Sequence, residues 1–277
     1  MSRVFKEKAD SATKYDLVSR ALDQFSDEIA SATSIFIKPN LVSKEPYPTT
    51  TDPQLLDTVL DFLSDHALMV GDGPAFDAPL NAFFDRKTRG VTTNHPLKRV
   101  CDERGVKFTN LNKGPFEKRR SDRGFKLSLS TVPQSFDLKI SLPVLKTHAI
   151  CSLTGAVKNQ FGLVKPIERA RLHASGLNLH KGIAETAALE PFDIFIVDMA
   201  ETLVNAQELR HGGRKAHLGY VLVGTDPVAI DCAGLELLRT VDGKLADKTI
   251  ENIPHLAFAE SYGVGERRYE CMGLTGT

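Results

Sequence analysis

The chain alternates short apolar runs with longer amphipathic stretches, an order that suits a sheet interleaved with helices. Ile35, Phe36 and Ile37 form a strand that stops at Lys38-Pro39-Asn40. Residues 53–64 carry Leu55, Leu56, Val59, Leu60 and Leu63 on one helical face. Residues 67–70 read as the next strand, stopping at Gly71-Asp72-Gly73-Pro74. Further strands are predicted at residues 106–109, 138–142, 194–198 and 219–224, and further helices at 96–104, 182–189, 227–238 and 253–262. Residues 125–131 alternate with period two, as a half-buried antiparallel strand does. Residues 150–180 are polar and glycine-interrupted, so irregular or broken helix is expected there. The expected fold class is α/β, a mostly parallel sheet flanked by helices, with room for a second smaller sheet or lobe. Residues 1–277 read as a single domain. The charged stretch at residues 113–124, a solvated loop or hairpin, is the one place where a lobe boundary could fall.

Composition narrows the function classes. The 277 residues hold 35 Lys+Arg against 35 Asp+Glu, so the chain lacks the basic excess of a protein that grips nucleic acid through phosphates. The N-terminus is charged from Arg3 onward and has no apolar leader core, and no segment has the length of a membrane span. The expectation is a soluble, cytoplasmic protein that binds neither nucleic acid nor membrane. Cys101, Cys151, Cys232 and Cys271 stand far apart, with no zinc or ferredoxin spacing, and read as reduced thiols. Cys151, three residues after His148, is the thiol placed nearest to candidate chemistry.

Ligands in open α/β sheets bind beyond the carboxyl ends of the strands, so polar residues that directly follow apolar runs are the candidates. Lys38 and Asn40, Asp72, Lys146 and His148, Asp198 and Asp226 all occupy such positions. The densest segment joins Lys146-Thr147-His148 to Thr154 and Lys158-Asn159. An extended backbone puts Lys146 and His148 on one side, and lysines beside helix-start amides suit a phosphate or carboxylate. Thr51-Asp52-Pro53 and Thr225-Asp226-Pro227 each place an aspartate at an N-cap and a proline at N1. Arg169, Arg171, His173 and His180 follow, and the glycine between the two histidines argues against one continuous helix. A divalent metal would draw on His148 or His173 with Asp72, Asp198 or Asp231, although no compact ligand spacing is present. Gly71-Asp72-Gly73-Pro74 is too short for a nucleotide loop, and Pro74 lacks the amide such a loop uses.

Lys38-Pro39-Asn40, Thr51-Asp52-Pro53, Gly71-Asp72-Gly73-Pro74, the run from Leu142 to His148, the run from Thr154 to Gly162 and the run from Gly224 to Asp231 occur in the order of the motifs of the DUF362 family. The chain resembles that family from about residue 34 to residue 240, and residues 259–265 are also similar. The family carries no settled activity. Many relatives hold ferredoxin-like cysteine clusters for iron–sulfur centres; this chain has none, so the resemblance does not extend an iron–sulfur cofactor to it. Relatives tend to be rich in glycine and proline after the strand matching residues 194–198, and residues 204–214 depart from that pattern.

The leading expectation is an enzyme acting on a small anionic metabolite by acid/base or metal-assisted chemistry, as a transferase, lyase or isomerase. Lys38, Lys146 and Lys158 would hold the anion, with Asn40, Asn159 and Thr154 orienting it. His148 would be the acid or base. Asp72 and Asp198 would orient that histidine or, with His173, hold a divalent cation. The alternatives are a redox or assembly module docking a separate iron–sulfur protein, or a non-catalytic anion-binding protein. Self-association into a homo-oligomer is compatible with each.

Overall fold

The computed structural model describes residues 1–10, 12–74 and 94–274. Its strands, in chain order, are β1 (Ser2–Lys8), β2 (Ser34–Pro39), β3 (Ala67–Asp72), β4 (Lys107–Asn110), β5 (Phe116–Arg120), β6 (Lys126–Ser130), β7 (Leu138–Leu142), β8 (Lys146–His148), β9 (Ser152–Thr154), β10 (Ile194–Val204), β11 (Arg214–Gly224) and β12 (Tyr269–Met272). An eight-stranded sheet has the order β12-β1-β11-β10-β7-β2-β3-β4. Within it β11 runs antiparallel to both neighbours, and the other strands share one direction. The pairs β5-β6 and β8-β9 form two small antiparallel hairpins. This is the expected mostly parallel α/β architecture, with smaller sheets added.

The central strands read as continuous apolar runs because both faces are covered. Ile35 and Ile37 face one core, with Ile194, Ile196, Val221 and Val223, beneath the helices Lys14–Asp23 and Pro53–Phe62. Phe36, Phe195, Val197 and Leu222 face the other, beneath the helices Leu177–Leu189, Pro227–Leu238 and Pro254–Ser261. The period of two along each strand therefore separates two hydrophobic layers. The charged stretch at 113–124 turns into the β5-β6 hairpin. Leu127 and Leu129 of β6 enter the second core, and Arg123 makes a double hydrogen bond to the buried Glu185 at 2.9 and 2.8 Å.

The strand order fixes where a site can form. The chain steps from β2 to β3 to β4 toward one edge, then returns to place β7 on the other side of β2. The carboxyl ends of β2 and β7 thus flank the point where the winding reverses, the usual crevice of an open α/β sheet.

Some elements differ from expectation. The helix expected at 182–189 begins at Leu177. Gly182 lies inside it, where the Leu172 side chain packs so closely that a Cβ would lie 2.8 Å from its Cδ1. Strands β1 and β12 and the helices Lys14–Asp23 and Ser26–Ser31 were not expected, because their apolar residues are too sparse among charges to show a period.

Gly234 lies against Leu145, immediately before β8, and a Cβ there would sit 2.1 Å from Leu145 Cδ1. Leu145 is fully buried, so Gly234→Ala is expected to cost about 1–3 kcal/mol through overpacking. Gly182→Ala meets the partly exposed Leu172 and should cost less. Urea denaturation of both variants checks the order; equal losses would contradict it.

Candidate functional site

The carboxyl end of β2 carries Lys38, whose ammonium lies 2.6 Å from Asp72 at the end of β3. Both residues are buried, so the pair needs hydrogen bonds on every side to offset lost hydration. Leu41 N donates to Asp72 Oδ2 at 2.6 Å and Gly73 N to Asp72 Oδ1 at 2.7 Å. Lys38 also reaches Asn159 Oδ1 at 3.4 Å, and Asn159 Nδ2 donates to Ser141 Oγ on β7 at 2.9 Å. The ends of β3, β2 and β7 are thereby tied into one lateral network.

The glycines of the motifs serve close approach. A Cβ on Gly73 would lie 2.3 Å from Gly162 O, and one on Gly162 would lie 2.6 Å from Asp72 Oδ1. Arg169 fastens the same corner, donating to Gly73 O at 2.9 Å, to Pro74 O at 2.8 Å and to Asn112 Oδ1 at 3.0 Å.

Beyond β7 the chain folds back as the β8-β9 hairpin. The register pairs Lys146 with Thr154 and His148 with Ser152, so alternation sets Lys146, His148 and Thr154 on one face. Lys146 is fully buried and donates to Thr49 O. Burial pushes its amine down to about 7, with Glu208 opposing and Lys158 adding to the fall. His148 is buried too, and its Nδ1 accepts from the amides of Ile150 at 3.1 Å and Cys151 at 3.2 Å. Burial, then Lys158, hold that imidazole well below its ordinary value.

Lys158, on the short helix Ala156–Asn159, is the electrostatic centre of this region. Its charge bears on Lys38, Lys146, His148, Arg169's neighbour His173, and the stacked pair His180 and His255. Its own amine is lowered by burial and, in lesser part, by Arg169. Among the described residues it has no hydrogen-bond or ion-pair partner. Several buried polar atoms also lack partners, among them Asn40 Nδ2, Thr154 Oγ1, and His180 Nδ1 and both ring nitrogens of His255, the two imidazoles that the Lys158 charge reaches. Asn40 and Thr154 are two of the residues expected to orient an anion.

Other expected residues have different partners. Asp198 accepts from Lys14 at 2.9 Å, from the Tyr47 hydroxyl at 2.8 Å and from Ala200 N at 2.9 Å. The expected orienting bond from Asp72 or Asp198 to His148 is not made: Asp72 is engaged by Lys38, and Asp198 by Lys14. His173 bonds through Nδ1 to Arg169 O at 2.8 Å. Among the described residues no three His, Cys, Asp or Glu side chains gather as a metal-holding group, so Asp72, Asp198 and His173 do not form one. Asp231 accepts from the amides of Ala156 and Val157 at 2.6 and 3.0 Å, capping the helix that carries Lys158. Asp52 and Asp226 are N-caps as expected. All four cysteines are free thiols; Cys101 and Cys151 are buried, Cys232 is partly buried and Cys271 is exposed.

Sequence reasoning missed Lys14 and Tyr47. Lys14 is buried between Asp52, at 2.5 Å, and Asp198, and it lies over the Tyr47 ring at 4.5 Å. Burial works against its charge, but Asp198 and Asp52 outweigh burial and raise its affinity for a proton. No local motif marks Lys14, because its partners come from distant parts of the chain.

An α/β sheet with this ion-paired corner and these motifs defines a family: residues 35–236 match the domain of unknown function DUF362, and the chain belongs to that family. The match begins at β2 and ends within the helix Pro227–Leu238, leaving Lys14 outside it. A thylakoid-associated protein of Synechocystis is 29% identical over 175 residues, covering 59% of this chain and 50% of that protein. The chain therefore spans about half the length of the curated relative it matches. Among solved structures, the lactate racemase apoprotein of Thermoanaerobacterium thermosaccharolyticum aligns with a TM-score of 0.44 and 13% identity, over 77% of this chain and 54% of that one. A Thermotoga maritima structural-genomics protein aligns with a TM-score of 0.43 and 10% identity, over 91% of this chain and 59% of that one. Among the described residues no helix is long and apolar enough to cross a membrane.

The depressed Lys146 amine sets a sign for stability against pH. An unfolded chain keeps this proton up to about 10.5 and the folded chain releases it near 7, so across that window the unfolded state binds more protons and stability rises with pH. Lys146→Met should remove that slope and raise stability at neutral pH by on the order of a few kcal/mol. Denaturant melts from pH 7 to pH 10 measure it, and an unchanged slope would show that Lys146 keeps its proton when buried. Lys14→Met should act in the opposite sense, costing about 3 kcal/mol or more because Asp52 and Asp198 are left facing each other. Adding Asp198→Asn should restore part of that loss, and a double variant with purely additive losses would count against the pair.

Proposed function

We propose that this protein is an enzyme acting on a small phosphate- or carboxylate-bearing metabolite by acid/base chemistry at the carboxyl ends of β2, β7 and β8. The observation that carries this reading is Lys158, a half-buried ammonium with no protein partner among the described residues. Lys38 and Lys14 each have a carboxylate in contact. Lys158 has none, and an unpaired ammonium in a partly desolvated setting favours an incoming anion over water. Asn40 Nδ2 and Thr154 Oγ1 supply polar atoms whose hydrogen bonds are unfilled, in keeping with a site completed by its ligand.

The roles follow from these partners. Lys158 holds the anion, Thr154 and Asn40 orient it, Lys146 exchanges protons beside it, and His148 offers it a hydrogen bond. Lys38 and Asn159 set the framework from which Lys158 projects. Their contacts with Asp72 and Ser141 make them supports for the strand ends.

Thermal-shift measurements with sulfate, phosphate, short dicarboxylates and phosphate esters test the site. Lys158→Ala is expected to weaken the binding of responsive anions by about tenfold to a hundredfold, the worth of one charged hydrogen bond. Identical shifts in the wild type and the variant would sink the anion site. Binding without turnover across the responsive compounds would favour a non-catalytic binder.

A further inference from the structure

The hydrogen bonds of His148 restrict what this ring can do. A ring nitrogen that accepts from two amides carries no proton, so the neutral ring holds its proton on Nε2. Forming the imidazolium would point an Nδ1–H at the amides of Ile150 and Cys151. The turn that supplies those amides is itself held, with Ser152 at φ 64° and Leu153 N donating to Cys151 O at 2.7 Å. Lys158, His173, His255 and Lys146 all disfavour a second proton on the ring. His148 can therefore donate a hydrogen bond from Nε2, as neutral imidazoles do when they polarise a carbonyl, but it is badly placed to take up a proton.

Lys146 has the complementary character. It lies on the same hairpin face, opposite Thr154, and no carboxylate lies within ion-pair distance of it among the described residues. Glu208 and Glu45 favour its charge from farther away, whereas burial and Lys158 oppose it. An amine that donates one N–H to Thr49 O and has its remaining proton loosened by burial exposes a lone pair on releasing it, the condition that activates buried lysines elsewhere.

We propose that Lys146 is the proton acceptor of the site and His148 its fixed neutral hydrogen-bond donor, acting on an anionic acid whose proton lies next to a carbonyl. This deepens the reading of the previous subsection and rests on the anion site at Lys158. In the balanced step the substrate C–H bond breaks and its proton passes to Lys146 Nζ, which becomes an ammonium. The electron pair moves through the carbonyl onto oxygen, where His148 Nε2–H and the Lys158 ammonium meet the developing charge. Return of the proton to carbon regenerates the amine, and no co-reactant is consumed.

Calorimetry with sulfate, a dianion that does not titrate near neutrality, tests the assignment in buffers of different ionisation enthalpy. An anion beside Lys146 raises its proton affinity, so sulfate binding slightly above pH 7 is expected to bring net proton uptake. That uptake should persist in His148→Gln and disappear in Lys146→Met. Uptake absent from the wild type, or lost in His148→Gln and kept in Lys146→Met, overturns the assignment. Nitrogen-15 histidine spectra of the ligand-free protein add a second reading, with His148 expected as the Nε2–H tautomer from pH 5.5 to 8.5. An Nδ1–H tautomer, or a protonation midpoint near the ordinary imidazole value, also overturns it. Failure of sulfate to bind at all would instead strike the anion site beneath the proposal, so the two failures are distinguishable.

Discussion

The buried pair of Lys38 and Asp72 is the interaction on which the strand-end architecture depends. Two opposite charges taken out of water persist only if their remaining hydrogen-bonding capacity is met. Leu41 N, Gly73 N and Asn159 meet it here. Each of those partners fixes a further segment: Gly73 must lie against Gly162, Asn159 must reach Ser141, and Arg169 must close over Gly73 and Pro74. Segments more than a hundred residues apart in sequence are thus parts of one polar knot at the reversal of the sheet.

That knot also creates an asymmetry among the lysines. Lys38 and Lys14 are neutralised by carboxylates, Lys146 is shielded by burial and a backbone carbonyl, and Lys158 is left unmatched. Asp231 has a part in this, because it spends its acceptor capacity on the amides of Ala156 and Val157 rather than on a nearby cation. The uncompensated charge is therefore built by the placement of carboxylates elsewhere, and it lowers the proton affinity of the imidazoles and amines that surround it.

How much could be read from the sequence follows from the physics of each element. Strands such as those holding Ile35 and Ile194 were readable because burial on both faces demands an unbroken apolar run. Strand β1 was not, because charges flank Val4 and Phe5, the residues that make its apolar contacts. Lys38, Lys146 and His148 were picked out by their positions after apolar runs, and the Lys158 charge bears on all three. The partners of those residues were not legible. Asp198 ends an apolar run in the sequence like a ligand-facing carboxylate, yet β10 continues past it to Val204 and its acceptors are filled by Lys14 and Tyr47, which only tertiary packing brings near. The state of His148 depends on two backbone amides in a turn with no sequence signature of its own.

The family match begins at residue 35, but the contacts of the sheet and of the strand ends extend N-terminal of it. Strand β1 pairs with the Tyr220–Gly224 half of β11 and with β12, and Lys14 stands between Asp52 and Asp198. A fragment cut at the family boundary would bare an edge of the sheet to strand addition and leave the buried Asp198 and the partly buried Asp52 without their cation. The N-terminal segment thus acts as a clasp, closing contacts that the region by which the family is recognised leaves open.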